Sequence, residues 1–161
     1  MSVTSIEKDF DRLILVVVAD FDATPERVWE PRAEPRKLER WWGPPSYPAT
    51  VQQHDLTPGG DVSYFMTGPE GEKYHGWWRV TSVNPPKSLE FRDGFADQDG
   101  NPTPDMPTTM VSMQLTEHGG GSRMELRTVF DTREAMERLD SMGMTEGMRE
   151  AVGQMDALLV G

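Results

Sequence analysis

Three histidines, His54, His75 and His118, are the first candidates for proton transfer or metal binding. Imidazole is the side chain whose charge ordinarily changes near neutral pH, and it is the commonest metal ligand. A tri-histidine metal site would need all three to converge. His118 stands in the glycine turn EHGGGS, where it is solvated. His54 lies in QQHDL and His75 in YHGWW, two extended stretches without a close pairing. His54 and Asp55 form no dyad, because successive side chains on a strand diverge. The sequence contains no Ser-His-Asp order, phosphate loop or zinc-protease motif. It contains no cysteine, which excludes disulfides and thiol chemistry and suits a reducing cytoplasm. No catalytic residue, metal-ligand set or cofactor site is identified.

A second group of polar residues lies in DGFADQDGNPTPDMP: Asp93, Asp97, Asp99, Asn101 and Asp105. Asp97, Asp99 and Asn101 begin like a calcium loop, but Pro102 takes the place of the turn glycine and no glutamate closes the loop. The segment reads as a solvated loop, long enough to serve as a lid.

Arg32, in VWEPRAEPRKLERWWGPP, has two readings. In a pocket its forked donors would hold a carboxylate, phosphate or phenolate. On the surface it would pair with Glu30, Glu34 or solvent. A buried guanidinium without a partner is costly, so the surface reading leads.

The richest chemistry is apolar. Trp29, Trp41, Trp42, Tyr64, Tyr74, Trp77, Trp78 and Phe91 accompany eleven methionines. Methionine is flexible and polarisable and adapts to varied apolar shapes. Any one of these aromatics can be explained as core packing.

The elements that position them follow from periodicity. RLILVVVADF, residues 12–21, is β-branched and apolar and predicts a largely buried strand. Thr24, Pro25 and Glu26 supply an N-cap, a first-turn proline and an acid matched to the helix dipole. That helix should stop near Glu30, because Pro31 lacks an amide donor and crowds the preceding turn. Pro35 opens a second short helix in PRKLERWW, with Glu34 as a poor cap. Six strands then follow in hairpin rhythm: TVQQHDL, DVSYFMT, KYHGWWRVTSV, LEFRDGF, TMVSMQLT and RMELRTVF, separated by glycine- and proline-rich turns. Alternation groups Val62, Tyr64 and Met66, and likewise Tyr74, Gly76, Trp78 and Val80; His75 has the opposite parity. Asp131 is placed to cap a helix TREAMERLDSM. After Gly143, Thr145 caps a final helix with Met144, Met148, Val152, Met155 and Leu159 on one stripe.

This order resembles the SRPBCC superfamily, also described as START-like or helix-grip. The words that carry the resemblance are VW in the first helix, P.KLERWWGPP, DLTPGGDVSYFM, GWWRVTSVNPPKSLEF and GMTEGMREAVGQMDALL. Within the superfamily they are most similar to the branch named after the activator homologues of the heat-shock-protein-90 ATPase. The resemblance runs from about Phe10 to Leu159. It implies an α+β fold in which a curved antiparallel sheet wraps a long C-terminal helix, and two short helices after the first strand close one end of a cavity. Relatives bind lipids, polyketides or hormones there, and some perform cyclisation. This chain departs from them in having Pro31 and Arg32 where many carry apolar or aromatic residues.

One START-like domain is expected over residues 1–161, with its core at about 10–159. The expected function is binding of a small hydrophobic or amphipathic molecule in a cavity between the sheet and the C-terminal helix. Tyr64, Met66, Tyr74, Trp78, Met148 and Met155 are the expected lining, with Trp42 at the mouth and Arg32 on the end wall. The net charge of −11 repels a phosphate backbone, which argues against nucleic acid. No apolar run is long enough to span a bilayer, so membrane insertion is not expected. Two alternatives stay open. One is a chaperone-interacting module using the outer face of the sheet; the other is a cyclase- or hydrolase-type enzyme, which needs an inward acid or base. A homodimer is also compatible with the sequence.

Overall fold

The computed structural model describes residues 3–159. The domain expected over 1–161 therefore has its first and last two residues outside the described region.

Eight antiparallel strands form one sheet: β1 (Val3–Asp9), β2 (Ile14–Phe21), β3 (Ala49–His54), β4 (Asp61–Thr67), β5 (Lys73–Asn84), β6 (Ser88–Ala96), β7 (Thr109–His118) and β8 (Gly121–Phe130). Their spatial order is β1-β2-β8-β7-β6-β5-β4-β3. The run from β3 to β8 is a meander, as the hairpin turns require. The long connection from β2 to β3 carries α1 (Pro25–Ala33) and α2 (Pro35–Leu38) across one face. After β8 come α3 (Arg133–Ser141), α4 (Met144–Gly153) and α5 (Met155–Leu159). Register shifts between Val51 and Gln53 and between Val80 and Ser82 mark irregular pairing; such irregularities bend a sheet. The result is the expected α+β helix-grip architecture: a curved sheet closed on its concave face by helices. None of the helices is long and apolar enough to cross a membrane, among the described residues.

The core lies on the concave face. Val17, Ala19 and Phe21 of β2 join Val62, Trp78, Phe91, Val111, Met113, Met124 and Leu126 from the other strands, with Val28, Leu38, Val152 and Met155 from the helices. A smaller cluster of Leu15, Phe130, Met136 and Leu139 lies under α3.

Four local expectations are corrected. First, β1 precedes the apolar strand; its alternation is too weak to announce it, because it is an edge strand with mostly exposed side chains. Second, α1 does not stop at Glu30. Pro31 lies inside it, and the Glu34 amide still bonds to the Glu30 carbonyl at 3.1 Å. Proline removes one amide bond, but the terminal carbonyls find partners outside the helix. The indole of Trp41 donates to Pro31 O at 3.0 Å, and His54 Nε2, as the protonated nitrogen, donates to Arg32 O at 2.9 Å. His54 is thus a helix-end group. Third, Thr132, not Asp131, caps α3, accepting from the Ala135 amide at 3.0 Å. Fourth, the tail is not one helix from Thr145 to Leu159. Gly143, in the left-handed region, precedes α4, and Thr145 instead donates to Asp140 at 3.1 Å. Gln154 then separates α4 from α5, its side-chain amide donating to Gly43 O at 2.6 Å and Trp41 O at 3.3 Å. Those two bonds tie the C-terminal segment to the loop that carries Trp42.

Candidate functional site

Between β4–β6 and the helical segment α3–α4 the concave face is not filled. A cavity of about 280 Å³ remains. Its floor is Tyr64 and Met66 of β4, Gly76 of β5, and Asp93 and Phe95 of β6. Its roof is Leu139, Met144, Gly147, Met148 and Ala151. Trp42 and Pro44 close one side. Tyr74 and Met142 are exposed apolar side chains and flank the opening. A wider, more polar groove adjoins it at Tyr74, His75 and Phe95, and contains Gln52, Lys73 and Gln98.

Five of the expected lining residues therefore meet around this space: Trp42, Tyr64, Met66, Tyr74 and Met148. Trp42 is a buried wall rather than a mouth residue, and Tyr74 takes the mouth. Trp78 and Met155 are not at the surface of the cavity; both are wholly buried behind it. The Trp78 ring stacks on Phe91 at 3.9 Å and meets Trp42 edge-on at 4.8 Å. Alternation gives the correct face for Trp78, but its depth depends on what packs above it, and Trp42 does.

Arg32 is elsewhere, and it is not on the surface. It is wholly buried between α1 and strands β7 and β8. Its Nη1 donates to Val28 O at 2.8 Å; its Nε and Nη2 approach the sulfurs of Met113 at 3.4 Å and Met124 at 3.1 Å. The rings of Trp29 and Trp41 lie 5.6 and 5.9 Å from the guanidinium carbon. The expected partners Glu30 and Glu34 are bound to Lys37 instead. Burial pulls the arginine pKa down to about 9, so the group is still a cation at neutral pH. Thioether sulfurs and ring faces compensate it weakly. Arg32→Met should therefore stabilise the fold by about 1–3 kcal/mol, as replacement of buried ions by apolar side chains often does. Denaturant melts at pH 7 check this, and a loss of stability would mean that the sulfur and ring contacts outweigh desolvation.

One residue was missed by sequence reasoning. Asp93 belongs to β6, not to the solvated loop that follows it. It shares the inward parity of Leu89 and Phe91 and pairs in register with Trp78 and Thr109. Its carboxylate accepts from the Tyr64 hydroxyl at 3.3 Å. Burial pushes its pKa up to about 7, against the smaller opposing effects of the Tyr64 hydroxyl and the Gly94 amide. The Tyr64 hydroxyl is driven well above its ordinary value, mainly by burial and then by the Asp93 charge. The indole N–H groups of Trp42 and Trp78 face that hydroxyl and oppose the rise, yet among the described residues neither reaches a regular hydrogen bond with any acceptor. Gly76 permits this arrangement: a Cβ there would lie 2.5 Å from the Tyr64 Cζ and hydroxyl oxygen. The available signal in the sequence was the parity of LEFRDGF, which puts Asp93 beside Phe91 on the inner face. Asp97 behaves as the loop reading expects, accepting from the Asp99 and Asn101 amides of its own turn at 3.0 Å each.

The geometry defines a helix-grip domain with a mostly apolar cavity containing one inward carboxyl group. The chain belongs to the family described as Activator of Hsp90 ATPase homolog 1-like protein, which matches residues 22–160. It is similar to protein Ms6760 from Mycobacterium smegmatis, with 48% identity over 99% of this chain and 98% of that one, at a TM-score of 0.91. A protein from Arthrobacter aurescens, solved by solution NMR, is 46% identical over 98% and 92% of the two chains, with a TM-score of 0.94. The AHSA1 protein from Silicibacter pomeroyi is 26% identical over 91% and 96%, at a TM-score of 0.71. No curated protein matches this chain.

Proposed function

We propose that this protein binds a small hydrophobic or amphipathic molecule in the cavity between β4–β6 and α3–α4. The observation that supports this is a cavity of about 280 Å³ walled largely by aromatic rings and methionines. Such walls reward burial of apolar surface at about 25 cal/mol per Å² without fixing one ligand shape. The adjoining polar groove leaves room for a hydrated end group. Among the described residues the large exposed apolar side chains also favour the cavity over docking on the outer sheet face: of Tyr74, Val129 and Met142, two flank the opening.

Gly147 provides the test. It lines the cavity from within α4, and a Cβ built there meets no heavy atom of the described residues within 4 Å. Gly147→Ala should stabilise the helix by about 1 kcal/mol and still admit a ligand. Gly147→Leu should fill the space without lowering stability. The neutral probe N-phenyl-1-naphthylamine should fluoresce on binding the parent and the alanine variant, and bind the leucine variant at least tenfold more weakly. Equal binding by parent and Gly147→Leu would place the probe outside this cavity.

A further inference from the structure

We propose that the cavity selects a small apolar molecule bearing a protonated amine, with Asp93 as its counter-ion and the Trp42 and Tyr64 rings around the cation. The proposal rests on the cavity being the ligand site. Charged side chains are sparse along the cavity wall. The titratable lining groups are Tyr64 from β4, Tyr74 and His75 from β5, and Asp93 from β6. The β7 contribution is the neutral Thr109, and the lining residues of α3 and α4 carry no ionisable group. Lys73 stands in the adjoining groove, its Nζ 4.6 Å from the centre of the Phe65 ring. Arg32 of α1 is buried against β7 and β8 and does not line the cavity. An anionic ligand would thus meet a carboxylate with no lining lysine or arginine beside it.

A cation meets the opposite situation. The Asp93 carboxylate accepts from the Tyr64 hydroxyl and meets the Gly94 amide; with about four lone-pair sites on a carboxylate, that still leaves acceptor capacity for an ammonium group. Aromatic faces attract a cation within about 6 Å of the ring centre, and more strongly where water is excluded. Trp42 and Tyr64 supply such rings beside the acid. The chain's net charge of −11 also raises the local concentration of cations. Because burial holds part of the Asp93 population protonated at neutral pH, an arriving ammonium favours the ionised form and displaces that proton to solvent. Amine affinity should therefore rise with pH up to about 7 and level off above it, until the amine itself loses its charge.

Three probes of matched size separate the possibilities by isothermal titration: 2-(1-naphthyl)ethylamine, 2-(1-naphthyl)ethanol and 1-naphthylacetate. At pH 7.5 the amine should bind at least tenfold more tightly than the alcohol, and the carboxylate least. At pH 6.5, titrations in buffers of different ionisation enthalpy should show proton release for the amine alone. In Asp93→Asn, shown by its thermal melt to be folded, the amine should fall to the level of the alcohol. The preference should survive 0.5 M salt, which removes attraction to the overall charge. An alcohol or carboxylate binding as tightly as the amine overturns the proposal, as does an amine preference retained in Asp93→Asn. If none of the three binds the parent, the cavity-binding reading itself fails, and this proposal with it.

Discussion

Asp93→Asn should leave the protein about as stable as the parent at pH 4 and stabilise it by up to roughly 4 kcal/mol at pH 8. In the unfolded chain this carboxyl titrates near 3.8; in the fold it titrates near 7. Between those values the native state holds a proton that the unfolded state has lost, so stability falls as pH rises from about 4 to about 7. Above that, both states are ionised and the dependence on Asp93 ends. Asparagine does not titrate and can still accept from the Tyr64 hydroxyl, so the difference between the two proteins isolates this group. Asp20 and Asp140 act in the opposite direction and in another window. Their hydrogen bonds to Arg123 and Lys8 hold their pKa values low, so their contribution is lost only as pH falls below the ordinary carboxyl range. Chemical denaturation at pH 4, 6 and 8 measures the effect. Parallel pH profiles for parent and variant would show that Asp93 is solvated in the native state.

The second large effect is expected at Trp78. Its ring is wholly buried, stacked on Phe91 at 3.9 Å and covered by Trp42 at 4.8 Å. Trp78→Ala should cost about 3–5 kcal/mol, since neighbours on three strands cannot collapse fully into the space. In a domain of 161 residues, each kcal/mol lowers Tm by roughly 2–4 °C, so the melt should move by about 6–20 °C. Trp78→Phe is the control. It keeps an aromatic ring against Phe91 and removes an indole N–H that has no hydrogen-bond partner among the described residues, so it should cost far less. If alanine and phenylalanine variants melt alike, the stack is not what holds this part of the sheet. The alanine variant should also enlarge the space reached by N-phenyl-1-naphthylamine, because Trp78 forms the layer behind Trp42.

Much of the fold is legible in the residues themselves. Six of the eight strands, β3 to β8, follow from alternation and from turns such as TPGG and EHGGGS, because period-two side chains and glycine turns are local physics. The apolar run that becomes β2 and the Thr24–Pro25 start of α1 are local as well. So are the inward positions of Tyr64 and Met66 and the lining position of Met148 on the apolar stripe of the last helical segment. Charge and composition likewise set the apolar character of the site before any packing is known.

The tertiary structure decides the rest. Whether α1 ends at Pro31 depends on Trp41 and His54, which reach its last carbonyls from a loop and from β3. Whether Arg32 meets water depends on β7 and β8 supplying Met113 and Met124 around it, more than eighty residues away in the chain. Where the C-terminal helix breaks depends on Gln154 finding the carbonyls of Trp41 and Gly43. Asp93 looks like the start of a solvated loop until β6 extends far enough to turn its carboxyl inward beneath Tyr64. Alternation along a strand gives each side chain a face, but it does not say whether that face meets a ring, a helix or empty space. That depth comes from elements distant in sequence, and it separates the packed Trp78 from the Tyr64 and Asp93 that border the cavity.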